Sequence, residues 1–535
     1  MKLVTPGDRK SVIKLASLFV VILTLHTAAA GQQSAVTSSN PPVLPVGSVV
    51  PKVLAIAKPD QSYALYLPAG YSPAKRWPIV YVFDPGAHGV GPVELMKDAA
   101  ERHGYIVVGS NNSRNGPRRI ASEAALAMLQ DTQARFSLDK RRFYFAGFSG
   151  GARVAASVAQ ACRCAAGVLL NGAGFGSNVS TTPGASFAVF ATVGMIDFNY
   201  AEIVQLDDQL EKLGYAHFLF RFDGPHQWAP KEAMEEALAW FRLQAMKNGL
   251  EERDTPFIIA EAARESQRAA ALEQSGDLYA AWKEYRQASE MLAGLADNTT
   301  FRARAEALEK DKAIREGAKR EKKEFEDQAQ LMAAILTRLS ALQENIPVTD
   351  SNDTGLSTLQ DNSPVTDPND AGLSALQESA TVTDLIVTGH SGLQESRAEI
   401  RREVEAEILD LRARTEHEEL PEKLRVLQRS LAGVFGMAMD TGMLQLLDKK
   451  DVPLALEYFE LALDANPDSV WALGELAVAK ASMGDDKGAL QALRNARSRM
   501  TNPAAFAAWL NEQPAFAKLR GTPEFTALLE PAPQH

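Results

Sequence analysis

The stretch Gly147-Phe148-Ser149-Gly150-Gly151 follows the apolar run Phe143–Ala146 directly and runs into Ala152-Arg153-Val154-Ala155-Ala156. This is Gly-x-Ser-x-Gly between a strand and a helix. Glycines on both sides of the serine permit a turn too tight for β-carbons, which lifts the hydroxyl above the sheet edge. The helix that follows aims its first amides at the same spot, where negative charge would develop. A serine hydroxyl is a weak nucleophile, so the chemistry needs a base and an acid to orient that base. Residues 51–248 hold four histidines, His88, His103, His217 and His226. His103 precedes a strand and His217 begins one, on the edge away from the serine. His226 lies in Phe222-Asp223-Gly224-Pro225-His226-Gln227-Trp228, just past the last strand, where open α/β sheets gather ligands. It is the expected general base. The expected acid is Asp197 in Gly194-Met195-Ile196-Asp197-Phe198-Asn199-Tyr200, also just past a strand; Asp223 competes for the role.

A tetrahedral intermediate needs two amide donors for its oxyanion. The first expected donor is Gly150. The second must come from Asp84-Pro85-Gly86-Ala87-His88-Gly89 after the strand Pro78–Phe83; Pro85 has no N–H, which leaves Gly86 or Ala87. His88, Asn111 (at the head of Asn111-Asn112-Ser113-Arg114-Asn115-Gly116) and Trp228 are expected to line the substrate's path. Other chemistries fare worse. Gly172-Ala173-Gly174-Phe175-Gly176 lacks the third glycine and the acidic partner of a dinucleotide site. There is no Walker lysine, no His-Glu-x-x-His and no cluster of metal ligands, so no metal or organic cofactor is implied.

The elements that position these groups are short apolar runs alternating with helical stretches over residues 51–248. Predicted strands are Ser62–Leu67, Pro78–Phe83, Ile106–Gly109, Phe143–Ala146, Gly167–Leu170, Phe187–Thr192 and Phe218–Phe222. Predicted helices include Ser122–Phe136, Ala152–Ala161, Ala201–Leu213 and Lys231–Lys247. Continuous apolar strands spaced by helices describe a parallel sheet buried on both faces. The fold class is therefore α/β, doubly wound and mostly parallel. Residues 31–50, rich in Ser, Pro and Gln, are expected to be an exposed lead-in.

Beyond residue 250 the strand signal stops. Residues 250–345 are expected to be helical: a hairpin broken at Gly276-Asp277, then a long charged helix over 299–344 that connects rather than packs. Leu-Gln at 342, 359, 376 and 393 marks a 17-residue repeat, with Val-Thr-Asp at 348, 365 and 382 in step. Units so poor in large apolar groups bury no solenoid core, so 346–396 reads as a linker. Residues 397–535 are helical again.

With the serine, the aspartate and the histidine in the order Ser149, Asp197, His226, residues 51–248 resemble the α/β-hydrolase superfamily, near the small esterases such as dienelactone hydrolases, feruloyl esterases and polyhydroxybutyrate depolymerases. The resemblance implies a Ser-His-Asp triad acting through an acyl-enzyme on a small-molecule or polymeric ester. The loop Phe83-Asp84-Pro85-Gly86 departs from the family's His-Gly-Gly pattern. The same triad also serves peptidases, and an inert hydrolase fold used as a binding scaffold is the third alternative. Ala455, Phe459, Ala462 and Pro467, with Ala489, Leu493 and Ala496 thirty-four residues on, resemble tetratricopeptide repeats over 452–500; Ala281, Tyr285 and Ala288 repeat the spacing more weakly. Such hairpins imply a protein partner, or simple packing.

Composition bounds the rest. The 535 residues are 46% hydrophobic and 23% charged, with a formal net charge of −11. A basic field for nucleic acid is excluded. Lys2, Arg9, Lys10 and Lys14, the apolar run Leu15–Leu25 and Ala28-Ala29-Ala30 form the pattern of a cleaved secretory signal over 1–30, which implies export to the periplasm or beyond. No later segment is expected to be long and apolar enough to span a membrane. Cys162 and Cys164 are expected to be two mostly buried thiols, because a bridge across one residue closes a strained ring.

Overall fold

A computed structural model describes residues 44–176, 187–344, 397–500 and 503–530. The signal pattern over 1–30, most of the lead-in and the 346–396 repeat lie outside the described residues.

Eight strands form one sheet: β1 (Val49–Leu54), β2 (Ser62–Tyr66), β3 (Trp77–Phe83), β4 (Ile106–Ser110), β5 (Leu138–Phe148), β6 (Ala165–Asn171), β7 (Ala188–Gly194) and β8 (His217–Phe222). Their order across the sheet is β1-β2-β4-β3-β5-β6-β7-β8. β1 and β2, and β2 and β4, run antiparallel; every other pair is parallel. This is the α/β-hydrolase arrangement, with β5 central and leading into the serine turn. β3 is buried at every position, as a two-sided core strand must be. Five helices cover the sheet: α1 (Val90–His103), α2 (Arg118–Arg135), α3 (Gly150–Cys162), α4 (Tyr200–Leu213) and α5 (Lys231–Lys247). On one face Val93 and Met96 of α1 and Trp240 and Phe241 of α5 meet Tyr144, Phe190 and Phe218. Phe145, one step along β5, turns to the other face and stacks on Tyr81 at 5.4 Å.

β1 begins inside the stretch expected to be an exposed lead-in. Its Val49, Val50, Val53 and Leu54 alternate poorly, but pairing with β2 places it on the sheet edge.

The helices that follow are α6 (Thr255–Gln274), α7 (Leu278–Leu292), α8 (Thr299–Glu309), α9 (Lys312–Glu344), α10 (Arg397–His417), α11 (Pro421–Leu444), α12 (Val452–Ala465), α13 (Val470–Ser482), α14 (Asp486–Arg499), α15 (Pro503–Glu512) and α16 (Pro523–Leu529). The α6–α7 hairpin joins the sheet's own core through Ala269, Ala281, Tyr285 and Ala288. The stretch expected to be one solvated helix is two helices, broken where the Asp311 carboxylate accepts from the Ala313 amide. The second of them is packed rather than solvated: Ile335, Leu339 and Leu342 are buried with Val404 and Ile408 of α10 and Val434 and Ala438 of α11. One face of a charge-rich helix is enough for that. Ala455, Phe459, Ala462, Ala489, Leu493 and Ala496 are all fully buried between helices, and Gly484 turns the chain at φ +82°.

Two further expectations are corrected. Cys162 and Cys164 are joined in a disulfide. Arg163 between them takes a left-handed conformation, φ 51°, which brings the two Cα atoms to 5.1 Å, within bridging range. And α11 with its π-helical extension Gln445–Lys449 is long and apolar enough, by length and composition, to cross a membrane. Here its apolar face, Leu427, Val434, Ala438 and Met439, is buried in the helical core.

Candidate active site

The serine turn is built by close approach. A Cβ on Gly147 would collide with the Gly151 carbonyl, and a Cβ on Gly151 with the carbonyl of Phe83 in β3. Both glycines of the motif are thus required by neighbouring backbone. Between them Ser149 is held at φ 53°, ψ −123°, a conformation a non-glycine residue adopts only under tertiary constraint. The constraint is visible: the Ser149 amide donates to the Asn171 carbonyl at the end of β6 (2.9 Å).

The loops after β7 and β8 bring the other two groups to this turn. His226 Nε2 lies 2.9 Å from Ser149 Oγ. Its Nδ1 lies 2.9 and 3.0 Å from the two carboxylate oxygens of Asp197. The Asp197 side chain is fully buried, and its Oδ1 also accepts from the Asn199 amide (2.8 Å). The imidazole sits between two aromatic rings, Phe198 at 4.2 Å and Phe148 at 4.6 Å between centroids. Asp223, the competing acid, is exposed. His103 pairs instead with Glu235, and His217 lies 3.5 Å from Asp207.

The oxyanion side differs from expectation. Gly150 opens α3, so its amide stands outside the helical ladder, as first-turn amides must. The other two expected donors are turned inward. The Gly86 amide donates to Asp84 Oδ1 (2.8 Å) and the Ala87 amide to the Asp84 carbonyl (3.2 Å). Asp84 thus takes both N–H groups, one on its carboxylate and one on its backbone carbonyl. Asp84 Oδ2 accepts from the Trp228 indole at 2.9 Å, and His88 Nδ1 lies 3.5 Å from Oδ1. Burial pushes the Asp84 carboxyl up, but the hydrogen bonds of His88, Trp228 and Gly86 outweigh it and hold it below its ordinary value. The same bond to Asp84 raises His88. Trp228 therefore ties the β3 loop to the histidine loop, with its ring 5.7 Å from that of Phe148. His88 is largely exposed at the rim. Asn111, expected to line the substrate's path, instead pins strand ends: its amide nitrogen donates to the Pro51 carbonyl (3.1 Å) and reaches Ser62 Oγ (3.5 Å).

Sequence reasoning missed Asn171. This fully buried residue accepts from the Ala229 amide (2.9 Å), donates to the Gln227 carbonyl (3.0 Å) and takes the Thr192 hydroxyl on Oδ1. One side chain thus fixes both flanks of His226. The available signal was a lone amide closing the apolar run Val168-Leu169-Leu170-Asn171 at the catalytic edge of a parallel sheet.

The helical region reaches the same site. Arg429 of α11, with no solvent exposure, donates from Nε to the Met195 carbonyl (2.7 Å), pairs with Glu324 of α9 (3.0 Å) and lies 3.9 Å over the Tyr200 ring. Gln328 of α9 donates to the Phe198 carbonyl (2.9 Å). The loop carrying Asp197 is therefore held from outside the sheet.

No protein-family model and no curated protein matches the chain. Among solved structures it is similar to the fluorophosphonate-binding serine hydrolase FphF of Staphylococcus aureus (15% identity, TM-score 0.28, 34% of this chain and 92% of that one). It is also similar to a hyperthermophilic esterase from the archaeon Pyrobaculum calidifontis (17% identity, TM-score 0.30, 38% and 87%). A third is the S-formylglutathione hydrolase FrmB of Staphylococcus aureus (14% identity, TM-score 0.30, 37% and 98%). Likenesses this partial establish nothing about chemistry.

Proposed function

We propose that this chain is a serine hydrolase, an exported carboxylic ester hydrolase that works through an acyl-enzyme. The observation that carries the reading is the unbroken line Ser149 Oγ, His226 Nε2, His226 Nδ1, Asp197, with both contacts at hydrogen-bond distance. Ser149 Oγ attacks the ester carbonyl carbon while its proton passes to His226 Nε2. Asp197, buried and accepting from Nδ1–H, fixes the tautomer and stabilises the imidazolium. The Gly150 amide faces the oxyanion. The carbonyl–oxygen bond to the alcohol then breaks, and the leaving oxygen takes the proton from His226. Water, deprotonated by His226, attacks the acyl-enzyme and releases the acid and Ser149. The signal pattern over 1–30 supports action outside the cytoplasm.

A fluorophosphonate probe tests the reading. The expected result is stoichiometric labelling, abolished in Ser149→Ala, with ester turnover down about 10⁴-fold or more. Labelling that persists in Ser149→Ala, or no labelling of the native chain, overturns it; the second result favours the inert scaffold.

A further inference from the structure

A cavity of about 460 Å³ lies between the outer edge of the sheet and the helices that follow it. β8 is the end strand of the sheet, and α7 covers its edge: Gln287 Oε1 accepts from the Leu219 amide (2.8 Å). Arg221 stands two residues further along β8, on the same face as Leu219. It lines the cavity together with Tyr200 of α4, Tyr279 and Lys283 of α7 and Arg320 of α9. Met195, Leu219 and Leu272 supply apolar wall. None of Ser149, Asp197 and His226 borders the cavity.

Charge is not balanced around this space. Three of the cations that line it are spent on carboxylates that line it too: Arg268 on Glu284 (2.5 Å), Arg425 on Glu324 (2.5 Å) and Lys283 on Glu321 (2.9 Å). The remaining carboxylate, Asp277, is exposed and caps α7, accepting from the Ala280 amide (3.0 Å). Arg221 and Arg320 are left over; among the described residues neither forms an ion pair. Glu321 attracts Arg221 without pairing with it, because its two oxygens already take the hydroxyls of Tyr200 (3.0 Å) and Tyr279 (2.9 Å) and the Lys283 ammonium. Asp207 also acts on Arg221 only from a distance, and its own contact is His217 at 3.5 Å. The Tyr200 hydroxyl touches the guanidinium, but Nε is shut off from solvent and has no hydrogen-bond partner. Arginine does not shed its proton to escape burial, so a half-buried guanidinium without a carboxylate is costly until an anion meets it. Arg320 is exposed and adds a second uncommitted positive charge at the same wall.

We propose that this cavity is a second binding site, for a small organic anion whose carboxylate or phosphate head is held by Arg221 and Arg320 and whose body rests on Met195, Leu219 and Leu272. A guanidinium fork meets either oxyanion with paired N–H groups, and the volume suits a small molecule rather than a bare ion. The inference does not depend on the hydrolase reading. Its test is calorimetric titration of the full chain with benzoate, with phenyl phosphate and with benzamide, a neutral molecule of the same shape as benzoate. At least one of the two anions is expected to bind one-to-one, with benzamide tenfold weaker or worse; the tighter anion identifies the head group. Arg221→Met is expected to weaken that anion about tenfold or more, as loss of a charge-assisted bond does. Arg320→Gln is expected to weaken it about threefold, the scale of an exposed charge. Ser149→Ala is expected to leave it unchanged. Where Arg221→Met fails to fold, Arg320→Gln decides, since that side chain is exposed and holds no core contact. No binding of either anion at millimolar concentration, equal affinity for benzamide, or affinity that survives Arg221→Met and Arg320→Gln overturns the inference. Binding lost in Ser149→Ala places the anion at the serine turn and overturns it as well.

Discussion

Two sides of the candidate site are built by different physics. On the sheet side, Ser149, Asp197 and His226 sit at the ends of β5, β7 and β8, and their mutual distances follow from strand register and backbone hydrogen bonds. On the other side, Arg429 arrives on α11, more than 200 residues after His226, and is placed by side chains: a buried ion pair, and one glycine of the helix, Gly436, set against the Phe198 ring. A sheet edge positions chemistry through bonds that every residue owns, whatever its side chain. A docked helix positions it through a few contacts that single substitutions remove. The sheet side is therefore expected to be robust to most point changes and the helical side to be fragile.

Arg429 is the sharpest way to break the contrast. Arg429→Ala removes one of the two arginines that pair with Glu324, leaving it to Arg425, and leaves the Met195 carbonyl without its donor. Removing one partner of a buried pair costs about 3–5 kcal/mol, and the retained Arg425 contact keeps the expected loss toward the lower figure. Chemical denaturation should show that loss, and ester turnover should fall with it because the Asp197 loop is released. The double variant Arg429→Met, Glu324→Leu should recover most of the stability, since apolar isosteres replace buried groups at little cost and the partly exposed Arg425 can turn to water. It should not recover full turnover, because the Met195 carbonyl stays unheld. A double variant as unstable as Arg429→Ala would show that the ion pair itself, rather than its broken half, holds the helix in place.

Asn171 is the corresponding break on the sheet side, and it is where the expected robustness fails. Asn171→Ala removes the side chain that holds Gln227 and Ala229 while leaving the Asn171 carbonyl bond to Ser149 intact. Each buried group left unpaired costs about 1–3 kcal/mol, and a histidine loop shifted by an ångström costs about 10²-fold in kcat. Turnover is expected to fall by that amount with KM little changed, while fluorophosphonate labelling of Ser149 slows in parallel. A variant with native kcat would show that Trp228 and backbone suffice to place His226.

The same contrast explains what was legible in the sequence. That Ser149, Asp197 and His226 would meet at one sheet edge was readable because Gly-x-Ser-x-Gly, scarce histidines and strand-end positions are local signals. Strand cores were readable for the same reason; β1 was not, because its burial comes only from pairing with β2. The bridge at Cys162–Cys164 depended on the left-handed backbone of Arg163, which no residue type announces. Gly86 and Ala87 were expected as oxyanion donors; their amides instead meet the Asp84 carboxylate and the Asp84 carbonyl, and no residue type announces a loop that closes on itself in this way. The reach of Arg429 was invisible: nothing in Val426-Leu427-Gln428-Arg429 says that it will meet the Met195 carbonyl, and only the docking of α11 decides it.

The smallest effect concerns that Asp84 loop, and its sign follows from the two shifts. His88 is raised above its ordinary 6.5 by Asp84, so its contribution to loop stability is complete below 6.5 and is lost as pH rises through the raised value. Asp84 is lowered below its ordinary 3.8, so its contribution is complete above 3.8 and is lost as pH falls through the lowered value. Both contributions are fully present together only between those two ordinary values. His88 is largely exposed, so solvent and salt screen the pair and the energy at stake is small. The position of the titration is still a clean readout. In an NMR titration the His88 ring Cε1–H should move with a midpoint above 6.5, and Asp84→Asn should return it to about 6.5. The Trp228 indole Nε1–H should follow the same midpoint, because it donates to the carboxylate that His88 shares. If Trp228 keeps its shift while His88 titrates at its ordinary value, the indole alone ties the β3 loop to the histidine loop. The two halves of the sheet edge would then be joined by one hydrogen bond rather than by a network.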